Sequence, residues 1–146
     1  MTKPESEHFP IGVEIPVAWG DMDAYGHVNN TVFLRWFETA RIIHFDRCAV
    51  EDRMKTERIG PILARAAVDY RRPVTYPDTV RAEVKVTRTG KTSFTMAYRL
   101  WSRAQNALAA EGEGVVVMID FKTGTPVPLD EKLRRRIAEV DAGGPG

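Results

Sequence analysis

The chain carries one cysteine, Cys48, in 146 residues. A single thiol cannot close an internal disulfide, which removes the stapled secreted scaffolds and fits a reduced compartment. Charge of one sign is missing too: 21 Lys and Arg stand against 20 Asp and Glu, for a formal net charge of +1. That balance excludes the single-sign field of a nucleic-acid binder or a polybasic membrane anchor, so an anionic ligand must be met by a local cluster. Apolar runs are short, none approaching the ~20 residues of a membrane helix. The opening stretch MTKPESEHFP is polar where a signal peptide needs apolar residues. Histidine is scarce, and the three at positions 8, 27 and 44 are too scattered to suggest a metal site. The expectation is a cytoplasmic protein with no metal, no cofactor, and neither a nucleic-acid nor a membrane partner.

What is present is globular. Hydrophobic residues make up 43% and charged ones 28%, enough apolar mass for one domain over residues 1–146, with 1–9 and 141–146 expected to be flexible. Residues 11–19 are rich in Ile and Val and read as a first strand. From Asn30 the apolar positions Val32, Phe33, Trp36, Phe37, Ala40 and Ile43 share one arc of a helix, which predicts a long buried-face helix with Asn29 or Asn30 at its N-cap. Beyond a polar stretch, EDRMKTERIGP, the period drops to two. Val80, Ala82, Val84 and Val86 alternate with Arg81, Glu83, Lys85 and Thr87; Phe94, Met96, Tyr98 and Leu100 alternate with Thr95, Ala97, Arg99 and Trp101. Residues 63–72 and 108–121 complete a run of four strands, and Gly112 and Gly114 in the last suggest a bulge or a close backbone approach. Tight turns such as Thr89-Gly90-Lys91 force antiparallel pairing. One antiparallel sheet must therefore cover one long helix, an α+β arrangement, with a second helix over 130–140 at the periphery. Open sheet edges invite pairing of copies, so a homodimer or homotetramer is expected.

The stretch WGDMDAYGHVNNTVFLRWFETAR, residues 19–41, crowds polar chemistry onto the helix entrance. A helix N-terminus offers unpartnered N–H groups and about half a positive charge, which suits an oxyanion. Gly26 permits a tight turn and a close ligand, and Asp23 is near enough to reach the same ligand. A carboxylate facing an oxyanion hole suits acyl transfer, in which one donated N–H is worth about 3–4 kcal/mol in the transition state. Each residue also has a structural reading: Asp21 and Asp23 can cap the turn or the helix, and His27 can be a hydrogen-bonded turn residue. Glu38 and Arg41 form an i, i+3 pair expected to be solvated or to face a partner. Cys48 has no histidine neighbouring it in sequence and is expected to be an inert small hydrophobe.

The run D-x-D-A-Y-G-H-V-N-N-T-V-F-L-R-W-F-E-T-A-R resembles the start of the 4-hydroxybenzoyl-CoA thioesterase family of hot-dog fold proteins. It is most similar to the long-chain acyl-CoA thioesterases that carry an H-V-N-N helix entrance. VDYRRPVTYPDTV and TRTGKTSFTMAYRLW are also similar to that family, so the resemblance covers residues 11–121. It implies the hot-dog fold, a five-stranded antiparallel sheet wrapped around one long central helix, here with a short C-terminal helix. It also implies hydrolysis of a fatty or aromatic acyl-CoA to free acid and CoA.

On that resemblance the second acid of D-x-D, Asp23, is the catalytic carboxylate, acting as base or nucleophile, with Asp21 a neighbour. Asn30 stands where relatives often carry Tyr or His; its backbone N–H, with those of Val28 and Asn29, would hold the carbonyl oxygen. His27 and Asn29 match the H-V-N-N subgroup and would shape the entrance and orient water or the carbonyl, beside Gly26. Lys91, Thr92 and Ser93 resemble a segment that touches CoA in relatives, and Arg71, Arg72, Arg88 and Lys91 are the candidate cations for its phosphates. The acyl group would run between helix and sheet past Phe33, Trp36 or Phe37. A free aspartate, with pKa near 3.9, is a weak base at neutral pH, so base action needs burial to raise it whereas direct attack does not. Two alternatives stand beside hydrolysis: a non-catalytic acyl-thioester-binding module in which Asp23 merely caps, and an enoyl-CoA hydratase or dehydratase. The latter usually sets its His and acid on two segments, whereas His27 and Asp23 share one loop.

Overall fold

The computed structural model describes residues 8–143. In chain order it contains β1 (Ile11–Pro16), a single 3₁₀ turn (Trp19–Asp21), α1 (Asn30–Cys48), a one-turn α2 (Met54–Glu57), β2 (Ile59–Tyr70), β3 (Thr79–Thr89), β4 (Ser93–Ser102), β5 (Ala107–Asp120), a two-residue β6 (Thr125–Pro126) and α3 (Glu131–Asp141). The five long strands pair antiparallel in the order β1-β3-β4-β5-β2, and β6 adds to β5. This is the hot-dog arrangement, with α1 as its filling. Two boundaries move. The first strand ends at Pro16 because the chain turns at Trp19–Asp21, and the polar stretch before β2 hides α2 and the start of β2 at Ile59.

The period-2 rows place Val80, Ala82 and Val84 of β3, and Phe94, Met96, Tyr98 and Leu100 of β4, against the buried stripe of α1. That stripe holds Val32, Phe33, Trp36, Phe37 and Ala40 as the periodicity predicts, then continues through Arg41, His44, Phe45 and Cys48, leaving Ile43 half-buried. Burying each large apolar side chain is worth about 1.5–3 kcal/mol, so this seam dominates stability. Gly112 confirms the close approach read from the sequence: a Cβ there would lie 2.6 Å from the Ala67 carbonyl oxygen and 3.3 Å from the Phe37 ring. The register breaks fall elsewhere, between Leu63 and Arg65, Val86 and Arg88, and Leu100 and Trp101.

The outer face of β3 and β4 departs from a simple polar row. Glu83 is fully buried and Arg99 nearly so. The Trp101 indole N–H donates to Glu83 Oε1 at 2.6 Å, and the Arg99 guanidinium lies 4.0 Å over the Phe9 ring. Phe9 therefore packs on this face and is not loose. The flexibility expected of 1–9 and 141–146 falls otherwise outside the described residues, save for 8 and for 141–143. There Asp141 is held too: its carboxylate accepts from the Val86 N–H at 3.2 Å, where β3 runs past the end of β1.

Asp130 caps α3 by accepting from the Leu133 N–H at 2.8 Å, and Leu133, Ile137 and Val140 anchor the helix. Asp141 Oδ1 also lies 3.3 Å from His44 Nε2, whose Nδ1 is 3.5 Å from Cys48 Sγ. In space Cys48 meets a histidine, one turn earlier on α1. The thiol is inert as expected: it is fully buried, and burial, aided by the Asp141 charge, pushes it up to about 12. Arg41 narrows an expectation. Its pair with Glu38 is present at 3.6 Å, but Arg41 is 8% exposed in the single chain, which removes the solvated alternative and leaves the partner-facing one.

Candidate active site

Between β1 and α1 the chain makes a loop closed by three backbone hydrogen bonds: Asp23 N–H to the His27 carbonyl at 3.0 Å, Gly26 N–H to the Asp23 carbonyl at 3.0 Å, and Asn29 N–H to the Asp21 carbonyl at 3.0 Å. Gly26 has φ 78°, a left-handed conformation that glycine adopts without a side-chain penalty. Asp21 is a brace. Its carboxylate accepts from Ala18 N–H at 2.9 Å and from Arg35 at 2.8 Å. Asn29 is the N-cap, its Oδ1 accepting from Thr31 N–H at 2.9 Å, which settles the choice between the two asparagines.

Asp23 is exposed in the single chain. Its Oδ1 accepts from the Tyr25 N–H at 2.9 Å and its Oδ2 from Asn29 Nδ2 at 3.2 Å. These contacts fix the carboxylate at the mouth of a cleft of about 380 Å³ lined by Asp23, Tyr25, His27, Val28, Asn29 and Asn30. A second cleft of about 260 Å³ shares His27, Val28 and Asn30, and adds Phe33, Tyr70, Arg71 and Arg72. The two form one surface around the helix start.

The three backbone donors expected at residues 28–30 do not survive as a set. Val28 N–H donates to the Val74 carbonyl at 2.8 Å and Asn29 N–H to Asp21, so both are used within the fold. The Asn30 N–H, at the first helical position, has no acceptor among the described residues. It is the donor open to a ligand at the positive end of α1. The Asn30 carbonyl is pinned from across the groove by the Tyr70 hydroxyl at 2.9 Å. Tyr70 and Val74 were not foreseen as site residues, because only the closed sheet brings Tyr70, at the end of β2, and Val74, in the loop after it, to the helix start. Burial pushes the Tyr70 phenol above its ordinary value.

Phe33 is buried and meets the Tyr70 ring edge to face at 5.1 Å. Arg71 reaches the second cleft while sharing Glu111 at 3.3 Å. Lys91, Thr92 and Ser93 are not brought to this place. Ser93 pairs with Val117 on β5 whereas Tyr70 pairs with Ala110, a separation along β5 of about 23 Å at 3.3 Å per residue. The turn they form is instead tied to Met118 and Leu129 through the carbonyls of Thr92 and Lys91. Among the described residues no three His, Cys, Asp or Glu side chains gather as metal ligands, and no helix is long and apolar enough to cross a membrane.

An antiparallel sheet curled around one long helix is the hot-dog fold of thioesterases. The chain belongs to the Thioesterase-like superfamily, whose family model matches residues 17–137. It is 23% identical over 127 residues to the long-chain acyl-CoA thioesterase FadM of Escherichia coli (strain K12), spanning 87% of this chain and 96% of that protein. A thioesterase from Thermus thermophilus, solved in complex with coenzyme A and Zn, is similar at 35% identity and a TM-score of 0.80, covering 92% of this chain and 96% of that one. The 1,4-dihydroxy-2-naphthoyl-CoA thioesterase Slr0204 of Synechocystis shares the fold, with a TM-score of 0.79 at 19% identity over 90% of this chain and 97% of that one.

Proposed function

We propose that the protein hydrolyses an acyl-CoA thioester to free acid and CoA, with Asp23 as the catalytic carboxylate. One observation carries this reading: Asp23 lines the same cleft as Asn30, whose N–H has no acceptor among the described residues. The thioester carbonyl oxygen accepts from Asn30 N–H at the positive helix end, where developing negative charge is stabilised most. Asp23 either takes a proton from water as it attacks the carbonyl carbon or attacks with its own oxygen. The C–S bond then breaks and the CoA thiolate leaves, to be protonated by solvent; after direct attack, water cleaves the resulting Asp23 anhydride, releasing the acid and restoring the carboxylate. Asn29 holds the carboxylate, His27 borders both clefts, and Phe33 lies against the start of the acyl group. Arg71 and Arg72 supply positive charge for a CoA phosphate. The coenzyme A bound in the Thermus thermophilus thioesterase supports CoA as the carrier.

The protein acts in the cytoplasm as a homodimer or homotetramer on this reading. Ile62, Leu63 and Tyr70 expose apolar surface along β2, an uncovered sheet edge that a second copy can pair with. Lys91, Thr92 and Ser93 then reach CoA only from the partner, since within one chain they lie far from Asp23. A binding-module reading is favoured by one observation, the two local hydrogen bonds that Asp23 already accepts. Release of free thiol from palmitoyl-CoA and 4-hydroxybenzoyl-CoA separates the two. Turnover that falls by at least about a hundredfold in Asp23→Asn supports catalysis, and binding of either ester without turnover by the unaltered protein supports the module.

A further inference from the structure

The Asp23 carboxylate and the open Asn30 N–H stand on different pieces of the fold. Asp23 belongs to a small hairpin, in which Met22 and Val28 bridge antiparallel, the Asp23 and Gly26 N–H groups close the tip, and the Asn29 N–H closes the base on the Asp21 carbonyl. The Asn30 N–H belongs to α1. Hairpin and helix meet at Asn29, an N-cap with extended dihedrals of φ −64° and ψ 142°. Rotation about that residue would swing the carboxylate past the helix start.

Three contacts oppose that rotation. The Asn29 side chain caps Thr31, at the pivot itself, and the Val28 N–H binds the Val74 carbonyl in the loop after β2. The third spans the joint: Arg35, on the second turn of α1, donates through Nη2 to Asp21 Oδ1 at 2.8 Å. Among the described residues it is the one side chain beyond the first turn of α1 that hydrogen-bonds the hairpin. Asp21 also accepts from the Ala18 N–H through Oδ2 at 2.9 Å, and its side chain is 9% exposed against 60% for Arg35. This one carboxylate thus joins the turn after β1, the base of the hairpin and the helix. An ion pair with one exposed partner adds little to stability, so what it contributes is direction.

Resting on the hydrolase reading of the first cleft, we propose that Arg35 and Asp21 form a positioning pair for that reaction. The pair sets the angle between hairpin and helix, and so the approach of Asp23 to a carbonyl held by the Asn30 N–H. A displacement of about 1 Å at reacting groups costs on the order of a hundredfold in rate, and a pair that narrows a swing without preventing it is worth roughly tenfold. Neither side chain lines the two clefts at the helix start, so the loss falls on kcat and not on KM.

The test takes whichever of palmitoyl-CoA and 4-hydroxybenzoyl-CoA is turned over, together with the N-acetylcysteamine thioester of the same acid, which has no phosphates. Arg35→Met is expected to lower kcat roughly tenfold on both esters, with KM and melting temperature unchanged. Arg35→Lys, which keeps the charge, recovers part of that loss. Asp21→Asn lowers kcat as Arg35→Met does, and the double variant falls no further than either alone, since the two act as one unit. If Asp21→Asn fails to fold, the two Arg35 variants, made at an exposed position, decide the matter. A merely structural role would move the melting temperature and leave kcat in place. A kcat kept in Arg35→Met, a rise in KM confined to the CoA ester, which would make Arg35 a phosphate contact, or losses that multiply in the double variant overturn the inference while leaving the hydrolase reading intact. Absence of thiol from both CoA esters overturns both.

Discussion

Asn29 Nδ2 lies 3.2 Å from Asp23 Oδ2, so the residue that caps α1 also holds the carboxylate at the cleft. Cap and acid form one unit. Asn29→Ala removes both contacts and is expected to lower stability by about 1 kcal/mol, together with a loss of turnover. Asn29→Asp keeps a capping oxygen but sets a like charge against Asp23. Its stability in urea should exceed that of Asn29→Ala while its kcat falls at least as far. Equal losses of kcat and stability across the pair would show that Asn29 acts only as a cap.

Whether Asp23 activates water or attacks directly is decided by where labelled oxygen goes. In a single turnover with enzyme in excess, in water labelled with heavy oxygen, direct attack puts the unlabelled Asp23 oxygen into part of the acid product and leaves label on the enzyme. Base action labels every product molecule and no enzyme. Because Asp23 is exposed in the single chain, and general-base action calls for burial, direct attack is the expected outcome. Mass spectrometry of intact protein and acid reads both.

Two glycines should respond to alanine in different ways. At Gly112 a Cβ would lie 2.6 Å from the Ala67 carbonyl oxygen, so Gly112→Ala must push β2 or α1 aside and is expected to cost about 1–3 kcal/mol. At Gly26 the added Cβ meets nothing within 4 Å, but φ is +78°, and the left-handed strain costs about 1–2 kcal/mol. Gly26→Asn, which tolerates that conformation, should recover much of the Gly26→Ala loss, whereas Gly112→Asn should be worse than Gly112→Ala. Thermal melts of the four variants check the contrast.

Cys48 gives stability an alkaline limit. The thiol is neutral when protonated, and in the fold it stays so up to about 12, against 9.0 ordinarily. The unfolded chain therefore loses this proton first. The contribution is fully present below about pH 9 and is lost as pH rises towards 12, by roughly 1.4 kcal/mol per pH unit. Lysines and tyrosines titrate in the same window, so the measurement is a difference: the slope of urea stability against pH should be shallower in Cys48→Ala than in the unaltered protein. Identical slopes would refute the assignment.

Much of the fold was legible because its signals are local. The switch from period 3.6 after Asn30 to period 2 at Val80 records which faces meet the core, and the Thr89-Gly90-Lys91 turn leaves antiparallel pairing as the outcome. The same logic failed where burial comes from elsewhere. Glu83 looks solvated by its alternation and Arg41 by its charge, yet the Trp101 indole covers one and the flank of α1 buries the other. His44 beside Cys48 was readable from its i, i+4 spacing. Its link to Asp141 was not, since 97 residues separate them in sequence.

The sequence by itself determined the ingredients of the helix entrance: an acid, a glycine able to take positive φ, and an asparagine cap, all set by neighbours within a few residues. Tertiary structure alone decided which of them line the cleft. Long-range strand register sends Tyr70, Arg71 and Val74 to the start of α1, consumes the Val28 N–H and leaves Asn30 open, while carrying Lys91 to the other end of the sheet. Local chemistry specifies a turn or a cap, but which donors remain unpaired depends on partners that only the closed sheet brings near.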